Sequence, residues 1–288
     1  MRLISRILTL IQVPLFAIGA QFLTLPSNAE ELAAGSHPTA GRFFSVNPAI
    51  FIAPEKHPEF SVCRGTWLGG VNTTNLAYNQ KINNRTLHIQ LRYTGLTGIE
   101  LRDHRPSDEA LAHFSSFGLS GIVGVSFGSG RSRYGFSLET IQMGIYNESA
   151  QGLAFNAGYL YRFPNKLSLG FSILNVGKMS SLRSTAPRLP TRVFAGLAKE
   201  LNFGVYSNTL HLSSEWNELA QTVQFWIGNI FKWKKLHLMA GTSVANNIYT
   251  ASAGMGLQLG QYNISYGIRF GSQDIGLPQT ITLHFRLP

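Results

Sequence analysis

Eight histidines are the residues of this 288-residue chain with the most obvious capacity for chemistry. No two of them are spaced as metal ligands on one face of a helix, so the sequence predicts no metal centre. A hydrolase would need a serine oriented by a histidine and a further polar residue, and no local signature marks such a nucleophile. The chain is therefore predicted not to be an enzyme, with no catalytic residue and no cofactor. Four histidines occupy the polar positions of alternating segments, where we expect them to face a lumen: His88, His211, His237 and His284.

The single cysteine, Cys63, excludes an intramolecular disulfide and any metal or iron–sulfur site built from several cysteines. We expect its side chain to fill space in a strand as a small apolar group. The compartment must therefore be inferred from the N-terminus.

The sharpest local motif is Asn47-Pro48-Ala49. Proline fixes φ and lacks an N–H donor, and asparagine readily turns onto its own backbone. One interpretation is a turn that starts the sheet. The other is a plug element that gates a lumen, which makes Asn47, Pro48 and Ala49 the candidate plug and gating residues.

The elements that must position these residues are strands. Three C-terminal segments, 249–259, 262–270 and 281–287, alternate apolar and polar residues with period two. Their polar positions hold mostly Gly, Ser, Thr, Asn and Gln rather than charged residues. Such a face suits a membrane barrel that is apolar outside and small and polar inside.

Composition supports the same interpretation. Only 13% of the residues are charged, whereas soluble domains average about 25%. No segment after the N-terminus has the roughly 20 apolar residues of a helical span. The patterns predict an all-β protein, a transmembrane antiparallel β-barrel of about 14 strands of about ten residues each, in the outer membrane.

Two long polar loops and one bulge interrupt the predicted strands. The loops are Glu100 to His113, which is the more charged, and Gly177 to Pro190. The alternation changes parity at Thr140-Ile141, which predicts a β-bulge there.

The N-terminus has the pattern of a secretory signal, with a positive start, a short apolar run and small residues at Gly19 and Ala20. We expect residues 1–20 to be a signal peptide, with an alternative cleavage site after Ala29. Residues 21–58 are rich in Pro, Gly and Ala and poor in strand pattern, so we expect an N-terminal segment that plugs the lumen. Residues 59–288 are the predicted outer-membrane barrel.

The formal net charge is +10. The cations are scattered over predicted turns and strand ends, and no dense basic run is interleaved with aromatic residues, so nucleic acid is not an expected partner. Outer-membrane lipid is the expected partner of the wall. Acidic lipid head groups or an acidic protein account more economically for the charge.

Several landmarks follow one another in the chain: Phe22 to Ala29, Asn47-Pro48-Ala49, Phe114-Ser115-Ser116-Phe117, Tyr159-Leu160-Tyr161, Asn175-Val176-Gly177 and Leu189-Pro190. In order and spacing, the chain from about Gln21 to Leu287 resembles the PorV/PorQ proteins, a family of FadL-like outer-membrane barrels. The resemblance favours signal cleavage near Ala20. It implies a barrel of about 14 strands with a lumenal plug, and a non-enzymatic accessory role in type IX protein secretion or surface attachment, with partners in the secretion machinery.

Two other functions stay open. One is a FadL-like transporter of hydrophobic small molecules across the outer membrane, and the other is a structural barrel with neither role. A transporter should line a pocket with large apolar side chains, whereas the inward positions are mostly small and polar, which favours the accessory role. An apolar site could come from the plug segment through Phe43, Phe44, Phe51 and Ile52.

Overall fold

The computed structural model describes residues 19–41, 45–50, 57–102, 109–271 and 276–287. These residues form fourteen strands: β1 (Glu59–Thr66), β2 (Asn72–Ile82), β3 (Arg85–Leu101), β4 (Ala112–Ser129), β5 (Ser132–Ile145), β6 (Glu148–Arg162), β7 (Leu167–Met179), β8 (Arg192–Phe203), β9 (Tyr206–Asn217), β10 (Thr222–Trp233), β11 (Leu236–Ala245), β12 (Ile248–Leu259), β13 (Tyr262–Gly271) and β14 (Gln279–Arg286). Before β1 lie a 3₁₀ turn (Ala20–Thr24) and one short helix, α1 (Ala29–Ala34).

The strands form one closed antiparallel barrel in which each strand pairs with its neighbours in sequence. The seam joins the first strand to the last, so that Cys63 of β1 lies opposite Thr282 of β14 and Asn75 of β2. Closure leaves no unpaired edge, which is what a sheet needs in hydrocarbon. The predicted fourteen-stranded barrel is confirmed, and Cys63 is a buried residue of a strand, as expected.

The two rims of the barrel differ in their connections. Five of the six links on one rim are two-residue turns, such as Asn83-Asn84 and Gly130-Arg131, whose first residues have φ of 55° and 58°. Positive φ at this position matches the twist of paired strands. The opposite rim carries the connections of five or more residues after β1, β3, β7 and β13. We call these the short-turn rim and the long-loop rim.

The two faces of the wall differ as the alternation predicts. Large apolar side chains point outward and stay exposed, for example Leu138 at 56% and Ile227 at 55%. An apolar surface that encircles the whole barrel requires lipid around it, so the chain is an outer-membrane barrel. The inward positions are buried and mostly polar. The four histidines predicted to face the lumen are all buried there.

The long loops are shorter than the sequence indicates. Strand β3 continues through Leu101 and β4 begins at Ala112, so Glu100 and His113 belong to strands. Strand β7 likewise includes Met179. Polar residues near the long-loop rim can extend the ladder beyond the membrane, because water solvates both their faces there.

The predicted bulge at Thr140-Ile141 is wrong. Strand β5 pairs with β4 and β6 in continuous register. Ile141 and Met143 point inward and pack against Phe22 and Leu23 of the N-terminal residues, which explains apolar side chains on the inner parity. The register shifts occur instead in β3 between Leu96 and Ile99 and opposite Asn156 of β6. None of the helices in the described ranges is long and apolar enough to cross a membrane.

Candidate functional site

Residues 19–41 and 45–50, here called the N-terminal segment, lie against the inward face of the wall. Their fold depends on α1. The side chain of Asn28 caps the helix by accepting from the Glu31 N–H at 2.8 Å. Glu31 in return accepts from the N–H and hydroxyl of Ser27 at 2.9 and 2.8 Å. This reciprocal pattern satisfies donors that a helix N-terminus leaves unpaired. Ser45 also donates to Glu31, at 3.0 Å, and so closes the segment on itself.

Polar side chains of the wall hold the segment through its backbone. Arg92 of β3 donates to the carbonyl oxygens of Phe22 and Leu23 at 3.2 and 2.9 Å. Across the lumen, Ser252 donates to the carbonyl of Ala33 at 2.8 Å. The hydroxyl oxygen of Thr282 accepts from the Ala29 N–H, also at 2.8 Å. The bonds to Ala33 and Ala29 supply partners for backbone groups that the short helix leaves unpaired, and the bonds of Arg92 hold the 3₁₀ turn.

Inward glycines provide the space for this contact. A Cβ placed on any of them would collide with the segment: Gly118 with Phe22, Gly135 with Pro48, Gly158 with Asn47, Gly170 with Pro38, Gly228 with Ala34, Gly254 with Ala33 and Gly267 with Ala29. Because these glycines come from seven strands, they form a band around the lumen, which we call the glycine band. Because glycine has no side chain, these positions let the backbone of the N-terminal segment approach the backbone of the wall closely.

The predicted plug and gating residues lie on the side of the glycine band that is nearer the short-turn rim. Asn47 is fully buried, and its amide donates to the carbonyls of Pro38 at 2.6 Å and Tyr159 at 3.1 Å. Its oxygen accepts from the Ala49 N–H at 2.9 Å, which is the expected turn of asparagine onto its own backbone. One side chain therefore joins two parts of the segment to β6. Gating by Asn47, Pro48 and Ala49 stays a prediction.

A histidine pair lies in the same interface. The rings of His37 and His211 stack with centroids 4.9 Å apart. Nε2 of His37 donates to the Ala34 carbonyl at 2.9 Å, so its Nδ1 accepts from the Ser213 hydroxyl at 2.7 Å when the ring is neutral. Burial lowers the pKa of His37 to about 4, although the bond to Ala34 acts in the opposite direction. Among the described residues, no cluster of histidine, cysteine and carboxylate side chains is arranged to hold a metal ion.

A cavity of about 700 Å³ opens toward the long-loop rim above the N-terminal segment. Its apolar side is formed by Phe22, Leu25, Trp67, Leu68, Leu96 and Trp226. These residues come from the N-terminal segment, from the β1–β2 connection, and from the ends of β3 and β10 at the long-loop rim. The inward positions of the wall are small and polar, yet the pocket is apolar. Most of the large side chains that line the pocket lie outside the alternating strands.

The polar side of the cavity contains two buried arginines. Arg192 forms an ion pair with Glu215 at 2.6 Å, with both side chains about 5% exposed. Arg269 lies over the rings of Trp67 and Trp226, at 5.5 and 5.2 Å from their centroids, and donates to the Leu32 carbonyl at 3.4 Å. Within the described ranges, Nε of Arg269 and Nε1 of Trp226 are buried without an acceptor. Arg269 lines the cavity, and its guanidinium charge favours a ligand that carries an acceptor group.

Sequence reasoning did not identify Trp67, Trp226 or Arg269 as site residues. Trp67 lies in the connection after β1. One available signal was the unusual tryptophan on the inward parity of β10. Phe43, Phe44, Phe51 and Ile52, which were expected to supply apolar surface, lie outside the described residues.

Known structures share this architecture. The toluene transporter TodX of Pseudomonas putida matches with a TM-score of 0.64 and 13% identity, over 89% of this chain and 96% of the transporter. The monoaromatic hydrocarbon channel CymD matches with a TM-score of 0.63 and 10% identity, over 94% of both chains. A Pseudomonas aeruginosa FadL homologue matches with a TM-score of 0.61 and 12% identity, over 90% and 98%. The chain has a FadL-like barrel fold. No family model matches the sequence, and neither does any curated protein.

Proposed function

We propose that this chain is an outer-membrane channel that takes up hydrophobic small molecules from the long-loop side. The observation that carries the proposal is the cavity beside the N-terminal segment, with Trp67, Trp226 and Phe22 in its walls. A volume of about 700 Å³ accommodates a ligand of drug size, and mostly apolar walls with a few polar groups are typical of such sites. The hydrocarbon transport named for TodX and CymD supports the same substrate class.

The polar side of the cavity narrows the ligand class. Arg269 places a buried guanidinium over two indole rings in the wall of the cavity. An aromatic or aliphatic molecule with one carboxylate or carbonyl group would pair with this guanidinium while its apolar part contacts Trp67 and Leu96. A purely neutral hydrocarbon would bring no acceptor to the guanidinium and should bind more weakly.

The N-terminal segment is proposed to be the plug, corresponding to residues 21–58. Its contacts with the glycine band and with Arg92, Ser252 and Thr282 support this assignment. Transport then requires part of the segment to leave its seat. We assign the gating role to Asn47-Pro48-Ala49 because Asn47 connects the segment to β6.

Signal cleavage near Ala20 fits this proposal better than cleavage after Ala29. Residues 1–18 lie outside the described residues. Phe22 and Leu23 are buried against Ile141 and Met143, and cleavage after Ala29 would remove them. Mass measurement of the mature protein from membranes should give an N-terminus close to Gln21. A mature chain that begins at Glu30 would contradict a plug that includes the 3₁₀ turn.

Ligand binding tests the channel proposal directly. Naphthalene and 1-naphthoate form a matched pair that differs by one carboxylate, and their binding to the purified barrel is measured by calorimetry. Trp226→Ala should weaken both ligands at least about tenfold, or about 1.4 kcal/mol. Arg269→Gln should weaken naphthoate alone. Trp216→Ala is the control, because Trp216 faces outward from β9. Equal losses for Trp216→Ala and Trp226→Ala, or no binding to the unaltered protein, would refute the proposal.

The second candidate is the accessory role in type IX secretion that the resemblance to PorV/PorQ implies. The basic β7–β8 connection, with Arg183 and Arg188 on the long-loop rim, could hold an acidic protein partner. Affinity purification from cells of the native host, with and without Arg183→Glu and Arg188→Glu, separates the two functions. Recovery of secretion components that is lost in the double variant supports the accessory role. Their absence from the unaltered complex favours the channel.

A further inference from the structure

The basic charge of the chain is concentrated on the short-turn rim. The described charged residues there are eleven cations and two carboxylates: Lys81, Arg85, Arg131, Arg133, Arg162, Lys166, Lys199, Lys232, Lys234, Lys235 and Arg286, with Glu59 and Glu200. On the long-loop rim the described cations exceed the carboxylates by only two: Arg64, Arg102, Lys178, Arg183, Arg188, Arg192 and Arg269 with Glu100, Glu109, Glu148, Glu215 and Glu218. Short turns of outer-membrane barrels face the periplasm, so the positive potential lies at the inner leaflet.

One groove on the outer wall combines this charge with apolar surface. It has a volume of about 530 Å³ and lies between the β2–β3 and β4–β5 turns. The register places Arg85, Phe127 and Tyr134 side by side on the outward parity. The rings of Phe127 and Tyr134 stack with centroids 5.9 Å apart, and Val125 extends the apolar wall toward mid-membrane. Asn84 donates to the Gly128 carbonyl at 3.3 Å, which links the β2–β3 turn to the end of β4 beside the groove.

Arg85 has no carboxylate partner among the described residues. Lys166 pairs with Glu200, and Arg286 pairs with Glu59 at the seam of β1 and β14; neither ion pair involves Arg85. An exposed guanidinium beside aromatic rings at the hydrocarbon boundary fits a phosphate group, because its planar donors match phosphate oxygens. The rings below it belong at the level where lipid chains begin.

We propose that this groove binds one anionic phospholipid of the periplasmic leaflet. Arg85 and Asn84 hold the phosphate, and an acyl chain lies along Val125, Phe127 and Tyr134. The remaining cations of the short-turn rim raise the local concentration of anionic lipid around the barrel. The site is on the lipid side of the wall and is independent of what the lumen transports.

Native mass spectrometry of the full-length mature protein tests the site. The protein is released from a mild detergent and titrated with phosphatidylglycerol and with phosphatidylcholine that has the same acyl chains. The first phosphatidylglycerol should bind at least about fivefold more tightly than phosphatidylcholine, as expected for one cation near an anionic head group. Arg85→Gln should remove that preference. Phe127→Ala should weaken both lipids equally, because it removes acyl contact only.

Lys199→Gln is the matched control. Lys199 is also a cation on the outward parity near the short-turn rim, but it donates to the Asn165 carbonyl and lies on β8. This variant should keep the preference within about twofold of the unaltered protein. If Lys199→Gln and Arg85→Gln lose the preference for phosphatidylglycerol equally, the rim binds anionic lipid only as a diffuse basic surface. That result would overturn the proposal. Displacement of phosphatidylglycerol by equimolar inorganic phosphate would also overturn it, because the site would then bind a free anion. Heat-modifiable migration in gels confirms that each variant is a folded barrel.

Discussion

Replacing Asn47 by alanine should open the lumen without unfolding the wall. The change removes three hydrogen bonds, to the Pro38 carbonyl, the Tyr159 carbonyl and the Ala49 N–H. Pro38 and Ala49 belong to the N-terminal segment itself, so only the bond to Tyr159 joins the segment to the wall. A buried hydrogen bond contributes about 1 kcal/mol net, so the docked state of the segment should lose about 1 kcal/mol. That loss corresponds to roughly a fivefold increase in the population of the undocked segment.

Single-channel recording in planar bilayers measures this population as the fraction of time spent open. Asn47→Asp is a second perturbation of nearly equal volume. It keeps the acceptor for the Ala49 N–H but places a carboxylate oxygen against two carbonyls, so it should open the lumen at least as often. The barrel itself should keep its heat-modifiable migration in gels, because Asn47 takes no part in strand pairing.

Asn263→Ala is the control for Asn47→Ala. Asn263 is also a buried, inward-facing asparagine, but its partners are Gln258 and Ser265 of the wall. It should leave the open fraction unchanged. The reasoning fails if Asn47→Ala conducts like the unaltered protein, or if Asn263→Ala opens the lumen equally. If the unaltered protein already conducts like a porin, the assignment of the N-terminal segment as a plug is wrong.

Three further predictions follow from the same contacts. Gly135→Val should raise conductance while the barrel still assembles, because the new side chain would occupy the place of the Pro48 carbonyl; liposome swelling with a small sugar checks it. Docking of the segment should weaken as pH falls from 6.5 toward 4, since the pKa of His37 is lowered to about 4 when docked and the free ring binds the proton more tightly; His37→Gln should flatten this pH profile of conductance. Ile264→Arg should lower the free energy of unfolding by about 2–4 kcal/mol in lipid vesicles, and Tyr262→Arg, two residues nearer the short-turn rim, should cost less.

The wall of this protein could be predicted from sequence because period two assigns each residue to a face without knowledge of its neighbours. Tyr262 to Phe270 shows this, since the alternating pattern and the observed burial agree along the strand. The same rule failed at Ile141 and Met143. Their inward side chains are apolar because Phe22 covers them, and a contact between residues about 120 positions apart leaves no trace in a local pattern.

The cavity was not predicted for a related reason. Alternation indicates which way a side chain points but not its depth in the barrel or what lies across the lumen. Trp67, Trp226 and Arg269 are distant in sequence, and the closed barrel brings them together. The inward glycines were visible as small residues, but their role as a seat depends on the path of the N-terminal segment. Asn47-Pro48-Ala49 was noticed because its turn is local.

The position of α1 has a consequence for the order of assembly. The helix contacts β10 to β14, and two of its bonds join residues 219 and 253 positions apart in the chain. These contacts must wait for the last strands, yet the segment that carries α1 leads directly into β1, which forms the seam with β14. A barrel that closed first would have to admit a folded helix through its own rim. The closing of the seam and the enclosure of the helix are therefore best regarded as one step, with the helix serving as the surface on which the final hairpins assemble.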